Sequence, residues 1–345
     1  MAKTVTIKPS GGDYASLSAA ITGEVAANAN LISAGIDVLN FECYAMSDTT
    51  AVNVNGFTTD ATHIIHIYCA AGEGHAGVWD DSKYKVQAAN ANLFQINDNY
   101  VVVTGLQIYD TQTSPDATTL IIGNDVTNWK VDACLIRGVR GSGASTTAVA
   151  NTSSGWGDNG FLINNIVFGH DAGLFMNFAS SSSTIFDCHN NTFYDMGVDG
   201  INMNSTTSAN VSMRNNIVNN CGTACYQNLN ANAVHSNNIS DDTTSPDAAF
   251  QSLSPTFVDD TTPPYNLHLD AADTAARGQG ANLSSLFTDD VDGDTRSAWD
   301  IGADEYISPA TAAVTGTATA SIDESDIVTG GKTIIITLTG DTWVN

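Results

Sequence analysis

The chain has 345 residues, 42% of them hydrophobic, which is enough to bury a large core. It carries 37 Asp and Glu against 11 Lys and Arg, a formal net charge of -26. This acidic balance argues against nucleic acid and anionic membrane as partners, because both require a basic surface. It is typical of a solvated acidic surface.

The N-terminal residues lack the apolar stretch of a secretory signal, and no run of residues approaches the length that spans a membrane. Either a leader was removed or the protein leaves the cell another way, as a virion part does at lysis. We expect a protein of a virion or of the extracellular cell surface, with no recognisable signal peptide. The six cysteines show no spacing typical of a metal site, which predicts buried free thiols.

An internal repeat occupies much of residues 35–254. Its six most similar segments begin at positions separated by 21 to 32 residues: VTGLQI (103–108), VDACLI (131–136), INNIVF (163–168), CHNNTF (188–193), MRNNIV (213–218) and VHSNNI (234–239). Shorter apolar segments, such as TLII and GINM, lie between them. Each period thus holds at least two short strands and no helix. This pattern excludes a doubly wound sheet or a helical repeat and predicts a parallel β-helix.

Asparagines recur at the fourth position of the last three repeats, as Asn191, Asn216 and Asn237. Stacked coils would place these amides above one another at a bend, where each can bond the next and satisfy buried turn backbone. We therefore predict a structural asparagine ladder. A row of amides that binds carbohydrate is the alternative interpretation.

At this point the chain resembles the right-handed parallel β-helix superfamily, which includes pectate-lyase-like enzymes and phage tail spikes. The stretch TVTIKPSGGDYASLSAAI, within residues 1–34, is similar to the N-terminal strand and capping helix of such proteins. Within residues 255–306, SPTFVDDTTPPYNLHLDAADTAARGQG and DVDGDTRSAWDIGADEY resemble their closing segment, which ends in Asp-Ile-Gly-Ala-x-Glu. The resemblance implies the architecture and, for phage spikes, a homotrimer or assembly with virion subunits. It implies no single activity, because this fold hosts lyases, hydrolases, adhesins and inert virion parts.

Residues 307–345 differ from the repeat. They begin with an Ala/Thr-rich linker and end with KTIIITLTGDTWV, a strand with period-two alternation. The segment looks like the opening strands of an immunoglobulin-like domain. We predict a linker and a β-rich extension that is part of such a domain or packs on the β-helix or a partner chain.

Basic residues occupy the second repeat position of three successive segments, as His189, Arg214 and His235. If the first position points inward, these three form an outward column. The column could bind the carboxylate of an acidic sugar and abstract its C5 proton in a β-elimination. The alternative is three ordinary surface residues that bond their neighbours.

Two further groups are candidate binding residues. Phe175 and Asn202 would lie outward on another strand column, where an aromatic ring beside an amide suits a sugar ring; an exposed Phe covered by a loop is the alternative. Trp79 and Tyr84, in a predicted loop, could line a ligand groove or pin that loop.

Asp290, Asp292 and Asp294 alternate as in calcium loops. An EF-hand is excluded, because Thr295 and Ile301 occupy the positions that need Gly and a bidentate Glu. A different calcium site is one interpretation, and a turn with Arg296 paired to one of the aspartates is the other. Calcium is the one cofactor that the sequence suggests.

These observations lead to two hypotheses. The first is a phage- or cell-surface-associated structural or adhesive β-helix that contacts a polysaccharide or host surface glycan. The second is a polysaccharide lyase or glycoside hydrolase that acts on an acidic polysaccharide, whose negative charge the acidic chain would repel unless cations intervene.

Overall fold

The computed structural model describes residues 1–112, 117–140, 146–151, 159–177, 185–203, 210–229 and 233–308. The chain divides into two units, residues 1–307 and residues 308–345. The predicted linker and β-rich extension belong to the second unit and lie outside the described residues beyond Ser308. No helix of the described residues has the length and apolarity needed to cross a membrane.

The first unit is a parallel β-helix with three sheets, and each full coil contributes one strand to each sheet. Sheet 1 has nine strands: Ala2–Ile7, Val38–Cys43, Ile64–Cys69, Val101–Thr104, Lys130–Asp132, Gly160–Ile163, Ile185–His189, Asn210–Arg214 and Val234–Ser236. Sheet 2 has eight: Ser47–Asp48, Lys85–Ala88, Gln107–Asp110, Leu135–Arg137, Ile166–Phe168, Thr192–Met196, Ile217–Cys221 and Ile239–Ser240. Sheet 3 has seven: Val52–Val54, Asn92–Ile96, Thr118–Ile122, Thr147–Asn151, Ala172–Met176, Asp199–Met203 and Ala224–Gln227. The fold predicted from the repeat is confirmed.

Alternation of side chains along each strand divides the core from the outer surface. In Val38–Cys43 the residues Leu39, Phe41 and Cys43 are fully buried, and the residues between them are not. Because parallel pairing is in register, these inward side chains stack on their equivalents in neighbouring coils. The outward side chains of sheet 1 therefore also form columns, which is where a surface site can be built.

The N-terminal segment forms the expected strand and helix. The strand Ala2–Ile7 extends sheet 1, and helix α1 (Leu17–Asn28) follows. Ser16 caps α1, because its side chain accepts a hydrogen bond from the Ala19 N–H. Helix α1 places Leu17 and Ile21 in the main core cluster. A short helix α2 (Leu31–Ala34) then leads into the first full coil.

The bend between sheet 1 and sheet 2 has one left-handed residue in each of six coils. These residues, with φ between 51° and 68°, are Gly105, Ala133, Asn164, Asn190, Asn215 and Asn237. Asparagine tolerates this conformation better than other residues with a side chain, which explains the first amide of each Asn pair.

The second amide of each pair forms the ladder. The side-chain amide of Asn165 donates to Asn191 Oδ1 (2.9 Å), Asn191 donates to Asn216 (3.1 Å), and Asn216 donates to Asn238 (2.9 Å). Asn238 donates in turn to the carboxylate of Asp247 at 2.8 Å. The predicted ladder is therefore present at Asn191 and Asn216. Its assignment to Asn237 was wrong, because the last coil is shifted by one residue and Asn238 takes that place.

The first amides point outward and hold the closing segment. Asn164 donates to the Asp289 carbonyl (3.1 Å), Asn190 to that of Gly302 (3.0 Å) and Asn215 to that of Ala281 (2.8 Å). Asn237 donates to the carbonyl of Gln279 at 2.7 Å. The closing segment thus lies along the bends of four successive coils.

Within the closing segment, two short strands, Phe257–Asp259 and Asn266–Leu269, pair antiparallel. A one-turn 3₁₀ helix, Ala248–Phe250, precedes them. The buried Arg296 donates to Asn164 Oδ1 at 2.8 Å and to the Ala303 carbonyl at 2.7 Å. These contacts attach the Asp-Ile-Gly-Ala-Asp-Glu motif to the coils, as a closing role requires.

Candidate functional site

The predicted basic column does not form. His189 and Arg214 are neighbours in sheet 1, but His235 lies opposite Met213, and Ser236 takes the place next to Arg214. The reason is the same one-residue shift in the last coil that affects the ladder. His235 instead contacts Asp247, with 2.8 Å between its Nδ1 and Oδ1 of the carboxylate.

His189 is also covered. It is 1% exposed, and its Nε2 lies 3.4 Å from Asp187 Oδ1. Leu286 and Phe287 of the closing segment border the small cavity beside it. A base for β-elimination must reach its substrate, so this position offers no open surface for the predicted chemistry. The covering by the closing segment is a long-range contact that spacing along the chain could not reveal.

Phe175 and Asn202 are direct neighbours in sheet 3, as their strand positions predicted. The Asn202 amide donates to Asp199 Oδ2 at 3.0 Å and to Gln227 Oε1 at 2.7 Å, and its oxygen accepts from Asn228 at 3.1 Å. Asn202 is only 8% exposed. Its hydrogen bonds are thus made within the protein, and glycan binding by this pair stays a prediction.

The three alternating aspartates do not share one role. Asp290 is buried, and its carboxylate accepts the backbone N–H groups of Asp292 (2.9 Å), Asp294 (2.8 Å) and Glu305 (2.9 Å). Asp290 therefore organises the turn, while the Asp294 side chain is exposed. Among the described residues, Arg296 forms its ion pair with Glu305, at 3.8 Å, and not with one of the three aspartates.

An open groove of about 860 Å³ lies on the outer face of sheet 1. One wall is the loop at residues 70–83, hereafter the groove loop, and the other is the turn at residues 289–293 of the closing segment. Lys83 donates to the Gly72 carbonyl at 2.7 Å and closes the groove loop on itself. His75 ties the loop to the coils through a 2.9 Å contact between Nε2 and the Ala133 carbonyl.

The two aromatic residues predicted in this loop have different places. Trp79 lines the groove and is 6% exposed, with its ring edge-on to Tyr109 at 5.6 Å between centroids. Tyr84 is fully buried, and its hydroxyl lies 3.4 Å from Asp48 Oδ2. Trp79 thus fits the groove-lining interpretation, whereas Tyr84 pins the end of the loop.

The floor of the groove is aromatic. His66 and Tyr68, two residues apart on the strand Ile64–Cys69, both point outward, and their rings stack with centroids 4.7 Å apart. Burial, with a contribution from Lys130, lowers the pKa of His66, so the imidazole is neutral at neutral pH. Burial and the nearby Glu42 carboxylate raise the pKa of Tyr68. The floor therefore presents two uncharged, stacked rings.

The rim of the groove is acidic. Apart from the buried Asp290, its charged residues are Asp80, Asp81, Lys83, Asp289 and Asp292. Hydrogen bonds from Ser82 lower the pKa of Asp80, and the Trp79 indole N–H, donating at 3.1 Å, lowers that of Asp81. Four carboxylates against one lysine give the rim a negative potential that disfavours an anionic ligand.

Sequence reasoning missed this floor, although a signal was present. In IIHIYC, residues 64–69, apolar and polar side chains alternate, which places His66 and Tyr68 on one outer face. The contribution of residues 289–293 had no comparable signal, because it depends on how the closing segment packs back onto an early coil.

The strand pairing defines a parallel β-helix protein, and the groove is a cleft on its surface. No protein-family model and no curated protein matches the chain. Among solved structures, the pectin methylesterase from Aspergillus niger in penultimately deglycosylated form has a TM-score of 0.47 and 8% identity, over 76% of this chain and 93% of that chain. The pectate lyase Pel9A has a TM-score of 0.39 and 13% identity, over 88% and 97%. Likeness at these levels carries no inference about the activity of this chain.

Proposed function

We propose that this protein is a rod-like structural or adhesive β-helix that binds an uncharged polysaccharide in the groove between the groove loop and residues 289–293. The observation that carries the proposal is the stacked pair His66 and Tyr68 on the groove floor. A sugar ring offers an apolar face to an aromatic ring and hydroxyls to surrounding polar groups. Placement on a virion or cell surface stays a prediction from the sequence.

The charge of the rim selects among glycans. A uronate polymer would bring further negative charge to Asp80, Asp81 and Asp289, and it would be repelled unless cations were recruited. A neutral polymer meets no such cost. The proposal therefore departs from the acidic substrate that the sequence suggested for an enzyme.

The pKa values of the groove carboxylates favour glycan binding over cleavage of the glycosidic bond. Glycoside hydrolases need a carboxylic acid whose pKa is raised, so that it can donate a proton to the leaving group. Asp80 and Asp81 have lowered pKa values because they accept hydrogen bonds. Burial raises the pKa of Asp290, but this side chain is only 1% exposed and its oxygens accept three backbone N–H groups, so it is held in the turn and does not face a ligand. The predicted lyase column is not assembled either, since His235 lies opposite Met213.

The test is calorimetric titration of the full chain with neutral hexose polymers and, in parallel, with uronate polymers. We expect binding to a neutral polymer that weakens about 2- to 13-fold in Tyr68→Ala, because an aromatic stacking contact is worth about 0.5–1.5 kcal/mol. Tyr44→Ala is the matched control, since Tyr44 is a half-buried tyrosine that does not line the groove.

Two outcomes would contradict the proposal. One is a chain that binds none of the neutral polymers, or that binds them equally well as Tyr68→Ala. The other is release of reducing ends or of unsaturated product during the titration, which would establish an enzyme in place of a binding protein.

A further inference from the structure

Three side chains that can ligate a metal converge beside the groove. His268 comes from the strand Asn266–Leu269, Asp292 from the turn that forms one groove wall, and Asp304 from the Asp-Ile-Gly-Ala-Asp-Glu motif. One ligand atom from each lies within 4.8 Å of the other two. The cluster shares only Asp292 with the calcium site that the sequence suggested.

The imidazole of His268 is positioned as a ligand. Its Nε2 is buried and lies 2.9 Å from Asp292 Oδ2, yet it makes no hydrogen bond among the described residues. A distance of 2.9 Å is short enough for a hydrogen bond, so the contact fails as one because of its direction. The carboxylate oxygen therefore lies off the axis along which the ring nitrogen would donate or accept. Two donors bound tetrahedrally to one zinc ion, each about 2.0–2.1 Å from it, would be about 3.3–3.4 Å apart, so a small opening of this pair would admit the ion.

Asp304 supplies the second carboxylate from a buried position. It is 6% exposed, and its Oδ2 accepts the Leu269 N–H at 2.7 Å. That bond fixes the carboxylate beside the imidazole, as outer-shell hydrogen bonds orient ligands in metal sites. Two carboxylates against one imidazole leave an excess of negative charge, which a divalent cation would neutralise.

The groove loop covers the cluster closely at Gly77. This residue has φ +64°, and a Cβ added to it would lie 2.1 Å from His268 Nε2 and 2.2 Å from Asp292 Oδ1. Only glycine lets the backbone approach the pair to this distance. The imidazole and the carboxylate are therefore held between the groove loop and the closing segment.

We propose that His268, Asp292 and Asp304 bind one divalent transition-metal ion, with zinc as the ion that the donor set fits best. One imidazole nitrogen and two carboxylate oxygens are common ligands of zinc, whereas calcium and magnesium prefer oxygen ligands alone. Three protein ligands leave a position for water, and Asp292 also lines the groove. The inference is independent of the ligand that the groove binds.

The experiment is calorimetric titration of chelator-treated full chain with zinc, manganese and calcium chloride in separate runs. We expect one zinc ion per chain and much weaker binding of calcium. His268→Gln and Asp292→Asn should each weaken zinc binding by more than about 100-fold, because even the outer-shell partners of a ligand are worth about 10- to 100-fold. Circular dichroism checks that each variant is folded.

Two variants are matched controls. Asp294→Asn removes an exposed aspartate that directly follows the turn at residues 289–293, and His63→Gln removes a half-buried histidine that contacts Asp60 at 2.8 Å. Neither should change zinc affinity. Cobalt in place of zinc should give visible absorption bands that are lost in His268→Gln.

Wild-type protein that takes up no stoichiometric zinc overturns the proposal, whatever the variants do. So does zinc affinity that is unchanged in a folded His268→Gln, or a wild-type site that prefers calcium to zinc. A decrease in Asp294→Asn equal to that in Asp292→Asn would also overturn it, because it would assign the binding to the turn and not to the cluster.

Discussion

Replacing Asn216 by alanine tests whether the asparagine ladder stabilises the coils. Asn216 is fully buried; its amide donates to the Cys188 carbonyl at 2.7 Å, and its oxygen accepts the Asn191 N–H at 3.1 Å. Asn216→Ala would deprive both buried backbone groups of the hydrogen bond that the Asn216 side chain provides. Each such group costs about 1–3 kcal/mol, so the free energy of unfolding should fall by about 4 kcal/mol.

The assay is urea unfolding followed by circular dichroism, with Asn53→Ala as the matched control. Asn53 accepts an amide hydrogen bond of 2.7 Å from Asn97, but on the exposed surface, where water replaces the lost partner. We expect the control to cost less than about 1 kcal/mol. Equal losses in the two variants would refute the reasoning, because the ladder would then contribute no more than a surface amide pair.

Three further predictions concern the closing segment and the groove loop. Arg296→Met should lower the free energy of unfolding by about 3–5 kcal/mol in a urea titration, because it removes a buried cation beside Glu305; a loss under about 1 kcal/mol would contradict it. Burial raises the pKa of Asp304 from 3.8 to about 6, which disfavours the charged form in the folded state. In metal-free protein the stability that protonated Asp304 provides is complete below pH 3.8 and is lost as the pH rises through about 6. Asp304→Asn should therefore gain stability over wild type as the pH rises from 4 to 7, by up to about 3 kcal/mol, and a pH-independent difference would refute it. Gly77→Ala should lower the melting temperature more than Gly293→Ala does. Both residues have positive φ, but only at Gly77 do side-chain atoms occupy the place of a Cβ. Equal shifts would contradict this, because the backbone strain that both variants share would then explain the whole loss.

The architecture could be predicted because it depends on a short, repeated pattern. The spacing of the Asn-containing segments and the lack of helical periodicity identified the coils, and the amides at Asn191 and Asn216 identified the ladder. The register was less certain, because bends between strands differ in length. In two coils the alignment by spacing is wrong by one residue. Leu162, and not Ile163, pairs with the first repeat position of the neighbouring coils, and His235, and not Val234, does so in the last coil.

The sites were harder to predict, because they depend on contacts between distant segments. His189 looks outward in its strand, but Phe287 lies beside it only after the closing segment has folded back. His268, Asp292 and Asp304 likewise meet through packing of loops, and no regular spacing joins them. The signals that remained were local ones, such as the alternation that places His66 and Tyr68 on one face.

The outward amides have a consequence for synthesis of the chain. In a simple solenoid each coil completes its contacts when the next coil is made. Here the side chain of Asn164 donates to the Asp289 carbonyl, 125 residues later. At about 5–20 residues per second, the ribosome needs on the order of 10 s to supply that partner. During this interval water must hydrate the outer amides, and docking of residues 279–302 then replaces that water with backbone carbonyls.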